Sequence, residues 1–289
     1  FSFHYTQILL LKTLKNLSKQ LIILIMKFKL SNKKILVTGG ADGLGFSLIN
    51  QLLQKNNDIT CLDKDISKNS YFNEKKVKFV HIDLRNLNEI EDLSKKIDFG
   101  NYDLIINCAG YEIGSFFNEI PFNEFKKNFN CNFFSHTFII QQHTINKDKQ
   151  KKTKIVNIVS DTAFRSIPTR SSYCSSKSAF YSFSESMRLE LKNFNIDLII
   201  VMPPKLDTDF FKKIQYFGKL EKDKIPYADK RPFYPKDKFA KIVIDKIEKN
   251  YFFINVLNIT KIFLAINFFI PKVGDLLVER FSTWKKLRN

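Results

Sequence analysis

A chain of 289 residues, 44% of them hydrophobic, is long enough for one sizeable α/β domain and apolar enough to fill its core. The 47 Lys and Arg residues against 29 Asp and Glu leave a formal charge of +18, but the lysines are spread along the chain rather than gathered in a stripe, which argues against nucleic acid as a partner. Cys61, Cys108, Cys131 and Cys174 form no C-x-x-C, and the four histidines show no metal spacing beside them, so buried thiols in a reducing compartment are expected rather than a zinc site or disulfides.

Taken in chain order, residues 1–25 read as an N-terminal extension before Met26. Their apolar runs, 8–11 and 21–26, are split by lysines, and neither approaches the roughly 20 residues of a membrane-spanning helix. They are either upstream sequence foreign to the natural protein or an amphipathic anchor. From Lys33 the pattern becomes strand, turn, helix, repeated. Apolar runs of strand length fall at 35–37, 59–62, 77–82, 104–107, 155–159 and 198–201, and helical stretches at 44–55, 86–97, 122–145 and 172–193. Such alternation predicts an α/β fold with a doubly wound parallel sheet and helices on both faces. After Pro203 the alternation stops: 203–235 is irregular and 236–289 reads as helical and apolar. Residues 26–289 are therefore expected to form a single domain, with 203–289 as a substrate loop and a helical C-terminal lobe.

Four of the nine glycines fall in T-G-G-A-D-G-L-G, residues 38–45, between the first strand and the first helix. Glycines spaced this way let the backbone approach a pyrophosphate resting on the helix N-terminus. No Lys follows Gly45, so this is not a Walker loop. Asp63 ends the second strand, where a carboxylate suits ribose hydroxyls and repels a 2′-phosphate. Asp42 adds to that repulsion and Lys64 opposes it, so NAD is favoured over NADP. Asp83 ends the third strand, placed either for the adenine side or as an N-cap for 86–97.

Further along stand N-C-A-G at 107–110, Asn132 in a long helix, Ser160 past the fifth strand, and Y-C-S-S-K at 173–177. With the T-G-x-x-x-G-x-G turn, this series resembles the short-chain dehydrogenase/reductase family, in its shorter branch, from about Lys33 to Thr208. The resemblance implies a Rossmann-type fold and the following roles. Thr38, Gly39, Gly43, Leu44 and Gly45 hold the dinucleotide phosphates. Asp63 and Asp83 serve the adenosine end, and Asn107, Ala109 and Gly110 line the fourth-strand end beside its ribose. Ser160, Tyr173 and Lys177 are the catalytic trio, Lys177 also holds the nicotinamide ribose, and Asn132 orders a water beside it. Thr208 meets the carboxamide. The chain departs from the family pattern at Cys108, at Pro203–Pro204, where Pro-Gly is usual, and at Phe164, where a small residue is common.

The chemistry explains the residue types. Hydride transfer to a ketone leaves an alkoxide that needs a proton, and a tyrosine supplies it if an ammonium one helical turn away stabilises the phenolate. A serine hydroxyl can bond the substrate oxygen as charge develops there. The expected function is hydride transfer between a nicotinamide cofactor and a carbonyl or alcohol. A catalytically inactive dinucleotide-binding sensor or scaffold at a membrane surface is the alternative. At the C-terminus, 251–270 and 273–287 read as two apolar helices, with Asn255, Asn258 and Lys261 forming a polar strip on the first. They pack on the domain or form a homo-oligomer contact, or else they cover the Tyr173 site and rest on an anionic membrane, which suits a lipophilic substrate. The expected location is cytoplasmic, at a membrane surface on the second reading.

Overall fold

The computed structural model describes residues 28–222, 232–256 and 269–281. Seven strands form one parallel sheet: β1 (Lys34–Thr38), β2 (Asp58–Asp63), β3 (Lys78–His81), β4 (Leu104–Asn107), β6 (Thr153–Ile158), β7 (Ile196–Met202) and β9 (Phe253–Asn255), in the order β3-β2-β1-β4-β6-β7-β9. Two short strands, β5 (Ile113–Gly114) and β8 (Gln215–Tyr216), pair apart from it. The helices are α1 (Gly43–Leu53), α2 (Asn69–Glu74), α3 (Leu87–Ser94), α4 (Phe122–Phe129), α5 (Ser135–Asn146), α6 (Ser171–Glu190), α7 (Lys219–Lys222), α8 (Lys236–Glu248) and α9 (Pro271–Phe281).

Side chains alternate across a strand, so each central strand feeds two cores. Ile35 and Val37 of β1, Ile106 of β4 and Val156 of β6 pack with Leu48 and Leu52 of α1 and Val243 and Ile247 of α8. Leu36, Ile105 and Ile155 face the other way, onto Ile90 of α3, Ile139 of α5 and Phe180 of α6. Both sheet faces are covered, as apolar runs in a parallel sheet require. The order reverses at β1 and β4, which opens a crevice at their C-terminal ends.

Three features differ from the sequence expectation. Residues 253–255, expected to be helical, are the edge strand β9, paired in register with Ile200–Met202 of β7. Asn255 therefore lies in the sheet with its amide on the Met202 sulfur, not on a helical polar strip. Periodicity cannot separate a short apolar strand from a buried helix, and here the open edge of β7 decides. Asn258, Lys261 and most of 257–270, like residues 1–25 and 282–289, lie outside the described residues. The helix expected over 122–145 is interrupted by a π turn at Asn130–Phe134. The apolar pattern places no helix between the runs at 59–62 and 77–82, yet this stretch holds α2, whose Phe72 is fully buried. Among the described residues no helix is long and apolar enough to cross a membrane.

Candidate active site

A cavity of about 560 Å³ lies over the C-terminal ends of the strands, within the size range of a cofactor site. Its floor is the glycine turn. Gly39 and Gly43 have φ of +68° and +54°, which favour glycine. A Cβ on Gly45 would stand 2.0 Å from the Gly39 carbonyl oxygen, and one on Gly39 would stand 2.6 Å from Ala109 Cα. Only bare backbone allows this close packing of turn, helix and β4 end. Asp42 caps α1 by accepting from the Gly43 amide, and Lys213 pairs with its carboxylate, which weakens the repulsion expected from Asp42.

Gly39, Gly43, Leu44, Gly45, Asp63, Asp83, Ala109, Gly110, Ser160, Tyr173, Lys177 and Thr208 all line this cavity. The strand order sets Asp63 and Asp83 on one side of the crevice and Ser160, Tyr173 and Lys177 on the other. Thr38, Asn107 and Asn132 stand behind the residues that line it. Thr38 is fully buried, and its Oγ1 accepts from the amides of Cys108 and Ala109 at 3.0 and 3.1 Å. Its own proton then goes to His136 Nε2 at 3.2 Å, so the imidazole is neutral, and burial pushes its pKa down to about 3. Thr38 thus fixes the end of β4 instead of touching the cavity. Asn107 donates to Asn157 inside the sheet. Asn132, in the π turn, accepts from the Tyr111 amide and donates to the Tyr111 carbonyl, to Asn128 and to Ser176. It braces the Gly110–Tyr111 segment against α6. Asn130, two residues earlier, donates to the Arg85 carbonyl instead.

At the β2–β3 side, Asp63 accepts from the amides of Ala41 and Asp65, each at 2.9 Å. Asp83 is gripped by the Arg85 guanidinium. Burial raises its pKa, but Arg85 outweighs burial and leaves it below the ordinary range. The N-cap of α3 is Asn86, not Asp83.

At the β6–α6 side, Ser160 lines the cavity and caps its own short turn, its Oγ accepting from the Thr162 amide and hydroxyl. Tyr173 is 8% exposed. Burial pushes its phenol well above the ordinary value, the Glu112 carboxylate adds to this, and the Ser160 hydroxyl opposes it. Lys177 donates to the Ile158 carbonyl at 3.0 Å, and burial lowers its pKa to about 8. A Cβ on Gly110 would meet both Asn132 Oδ1 and Lys177 Nζ, at 3.1 and 3.3 Å, so this glycine makes room for the lysine.

Sequence reasoning missed part of the cavity wall: Glu112, Ile167, Lys205, Phe210, Phe211 and Gln215. Of these, Glu112 and Gln215 meet through the β5–β8 pair, which no local motif signals. The Phe210 ring lies 5.9 Å from that of Tyr173.

The fit to a dinucleotide rests on observed features: a turn packed too closely for side chains on Gly39 and Gly45, the start of α1 bordering the cavity and carboxylates at the strand ends. The short chain dehydrogenase family model matches residues 33–217. Among curated proteins the chain is similar to the 3-ketodihydrosphingosine reductase of Dictyostelium discoideum, 26% identical over 212 residues, covering 64% of each chain. It spans less than two thirds of that relative's length. In fold it is similar to a short chain dehydrogenase/reductase from Burkholderia phymatum in complex with NAD, with a TM-score of 0.73 and 17% identity over 85% of this chain and 96% of that one. A second fold neighbour, from Burkholderia cenocepacia in complex with NADP, has a TM-score of 0.68 and 17% identity over 87% of this chain and 99% of that one. The family match spans well over half of the chain, which therefore belongs to the short chain dehydrogenase family.

Proposed function

We propose that the protein is an NAD(P)-dependent oxidoreductase that interconverts a carbonyl and an alcohol, with NAD(H) favoured. The observation that carries this is the convergence of Ser160, Tyr173 and Lys177 on one cavity with the glycine turn. The phosphates would rest on Gly39–Gly45 and the α1 N-terminus, the adenosine ribose on Asp63 and the nicotinamide end near Lys177 and Thr208. When bound, the dinucleotide supplies or accepts the hydride.

The chain's own groups handle the proton. A phenol held above its ordinary pKa stays protonated at neutral pH, the state needed to give a proton to an oxygen gaining negative charge. Ser160 donates a hydrogen bond to that oxygen, and Lys177 stabilises the phenolate left behind. Asp63 lies at the end of β2 on the cavity wall, and the Arg85 guanidinium is engaged by Asp83. These two facts support NAD(H) over NADP(H).

A lipophilic substrate is supported by the apolar wall of Ile167, Leu206, Phe210 and Phe211 and by the long-chain ketone in the name of the Dictyostelium relative. Helix α9 is tied to the neighbourhood of the site by the Arg165–Asp275 ion pair and leaves Phe269, Ile270, Val273 and Leu276 exposed, which supports contact with an anionic membrane surface. The test is a turnover screen of ketones and alcohols of rising chain length with NADH and NADPH side by side. The proposal expects kcat/KM to rise with chain length and to be higher with NADH. Absence of turnover with every carbonyl would leave the inactive-binder reading in its place.

A further inference from the structure

Ser160 has one proton and two lone pairs to offer, and its own turn engages all three. Its Oγ accepts from the Thr162 amide at 3.2 Å and from the Thr162 hydroxyl at 3.0 Å, and it donates to the Asp161 carboxylate at 3.3 Å. The direction of the hydroxyl pair follows from that neighbour. A carboxylate only accepts, so the Ser160 proton goes to Asp161, and the proton shared between the two hydroxyls is that of Thr162. The Cys174 sulfur also neighbours the Thr162 hydroxyl, but it is a weak acceptor and already takes the Ile167 amide at 3.5 Å. Asp161 and Thr162 both line the cavity beside Ser160.

The turn that carries these residues, Asp161–Ala163 with Ser160 as its N-cap, is held in place from α6. The Ser178 hydroxyl donates to the Ala163 carbonyl at 2.8 Å, and the Phe164 ring lies 4.3 Å from that of Tyr181. Ser178 and Tyr181 belong to the same helix as Tyr173 and Lys177. Phe164, bulky where the family pattern has a small residue, thus fastens the turn to that helix. The capping amide bond and both anchors are independent of the Thr162 hydroxyl, so the backbone does not need it. Its effect is chemical. By filling the second lone pair it leaves Ser160 able only to donate, and it polarises that donor, since hydrogen bonds in a chain strengthen one another. Without it, a free lone pair on Ser160 would compete with the substrate oxygen for the proton of Tyr173, on whose phenol the Ser160 hydroxyl acts.

We propose that Thr162 is a positioning residue of the reaction: its hydroxyl commits Ser160 to donating, so that an entering carbonyl draws the Ser160 proton from Asp161 to its own oxygen while the Tyr173 proton is kept for that same oxygen. The proton transferred is that of Tyr173, and no bond of Thr162 is made or broken. Thr162 acts through Ser160. This inference rests on the oxidoreductase reading of the site and adds a residue to it.

The test is a double-mutant cycle on the full chain, with NADH and the ketone that the wild type reduces best. Thr162→Val should lower kcat about tenfold while KM for the ketone and Kd for NADH stay within about threefold, because the lost interaction counts in the transition state. In a Ser160→Ala background the same substitution should change kcat by less than about twofold, since the group it acts through is gone. Thr162→Ser, which keeps the hydroxyl, should retain at least about a third of wild-type kcat. A Thr162→Val variant as fast as the wild type would overturn the proposal, and so would an equal loss in both backgrounds, the mark of a structural role. If Ser160→Ala has no measurable rate, or if Thr162→Val does not fold, Thr162→Ser and Thr162→Ala decide: a serine variant as slow as the alanine variant overturns the proposal, and one that keeps the wild-type rate while alanine loses it upholds it. A wild type that reduces no carbonyl refutes the oxidoreductase reading and this inference with it, whereas an active wild type indifferent to Thr162 refutes only the inference.

Discussion

The two sides of the crevice are built differently. On the β1–β2 side the backbone itself makes the surface: glycines too close to their neighbours to carry a side chain, and a buried threonine that ties the ends of β1 and β4 together. On the β6–α6 side the surface is made of side chains brought from distant loops, including the buried Glu112–Arg170 ion pair, Thr169 in a left-handed conformation with φ of +68°, and rings contributed by the segment after β7. A backbone surface suits a ligand part that never changes, such as a pyrophosphate. A side-chain surface can be changed residue by residue without disturbing the sheet, which is where substrate choice belongs.

The largest expected effect comes from Lys177, which serves both sides. Lys177→Met should lower kcat/KM by about a thousandfold or more and yet make the protein more stable at neutral pH. The sign follows from its lowered pKa. Between about 8, its folded value, and its ordinary value of 10.5, the unfolded chain holds more protons, so wild-type stability rises with pH across that window. Below it the full cost of a buried ammonium is present, about 3 kcal/mol at most. Denaturant midpoints should therefore favour Lys177→Met at pH 7, with the gap closing by pH 10.5. A gap independent of pH would mean that the ammonium is not buried as described.

Next in size is Gly45→Ala. The added Cβ meets a backbone oxygen that has no room to yield, so a loss of about 2 kcal/mol in stability is expected, together with weaker NADH binding by titration. An alanine tolerated without loss of either would break the contrast between backbone-made and side-chain-made surfaces. The smallest effect is on the other side. Thr169→Gly should relieve the left-handed strain and offset the entropy glycine adds to the unfolded state, leaving stability within about 1 kcal/mol of wild type. A larger loss by the same denaturant measurement would show that the Thr169 side chain, and not only its backbone, holds the loop.

The same contrast explains what could be read from the sequence. The glycine turn and the Tyr173–Lys177 spacing are local patterns, fixed within one turn or one helix, and the alternation of apolar runs identified six of the seven strands of the main sheet. Thr38 and Asn132 were noticed for their positions, but their bonds run to the segment after β4, so their bracing role needed the fold. Glu112, Gln215 and Phe210 carry no motif, and the first two meet because β5 pairs with β8 across about a hundred residues. The strand β9 was hidden because three apolar residues look alike in a strand and a helix until a neighbouring edge is known.

The most direct test of the central claim is Tyr173→Phe, which removes one oxygen and little else. With the carbonyl that the wild type reduces best, kcat should fall to less than about a thousandth while the Kd for NADH, measured by fluorescence titration, stays within about threefold of wild type. Retention of more than about a tenth of wild-type kcat would contradict the assignment of Tyr173 as the proton donor.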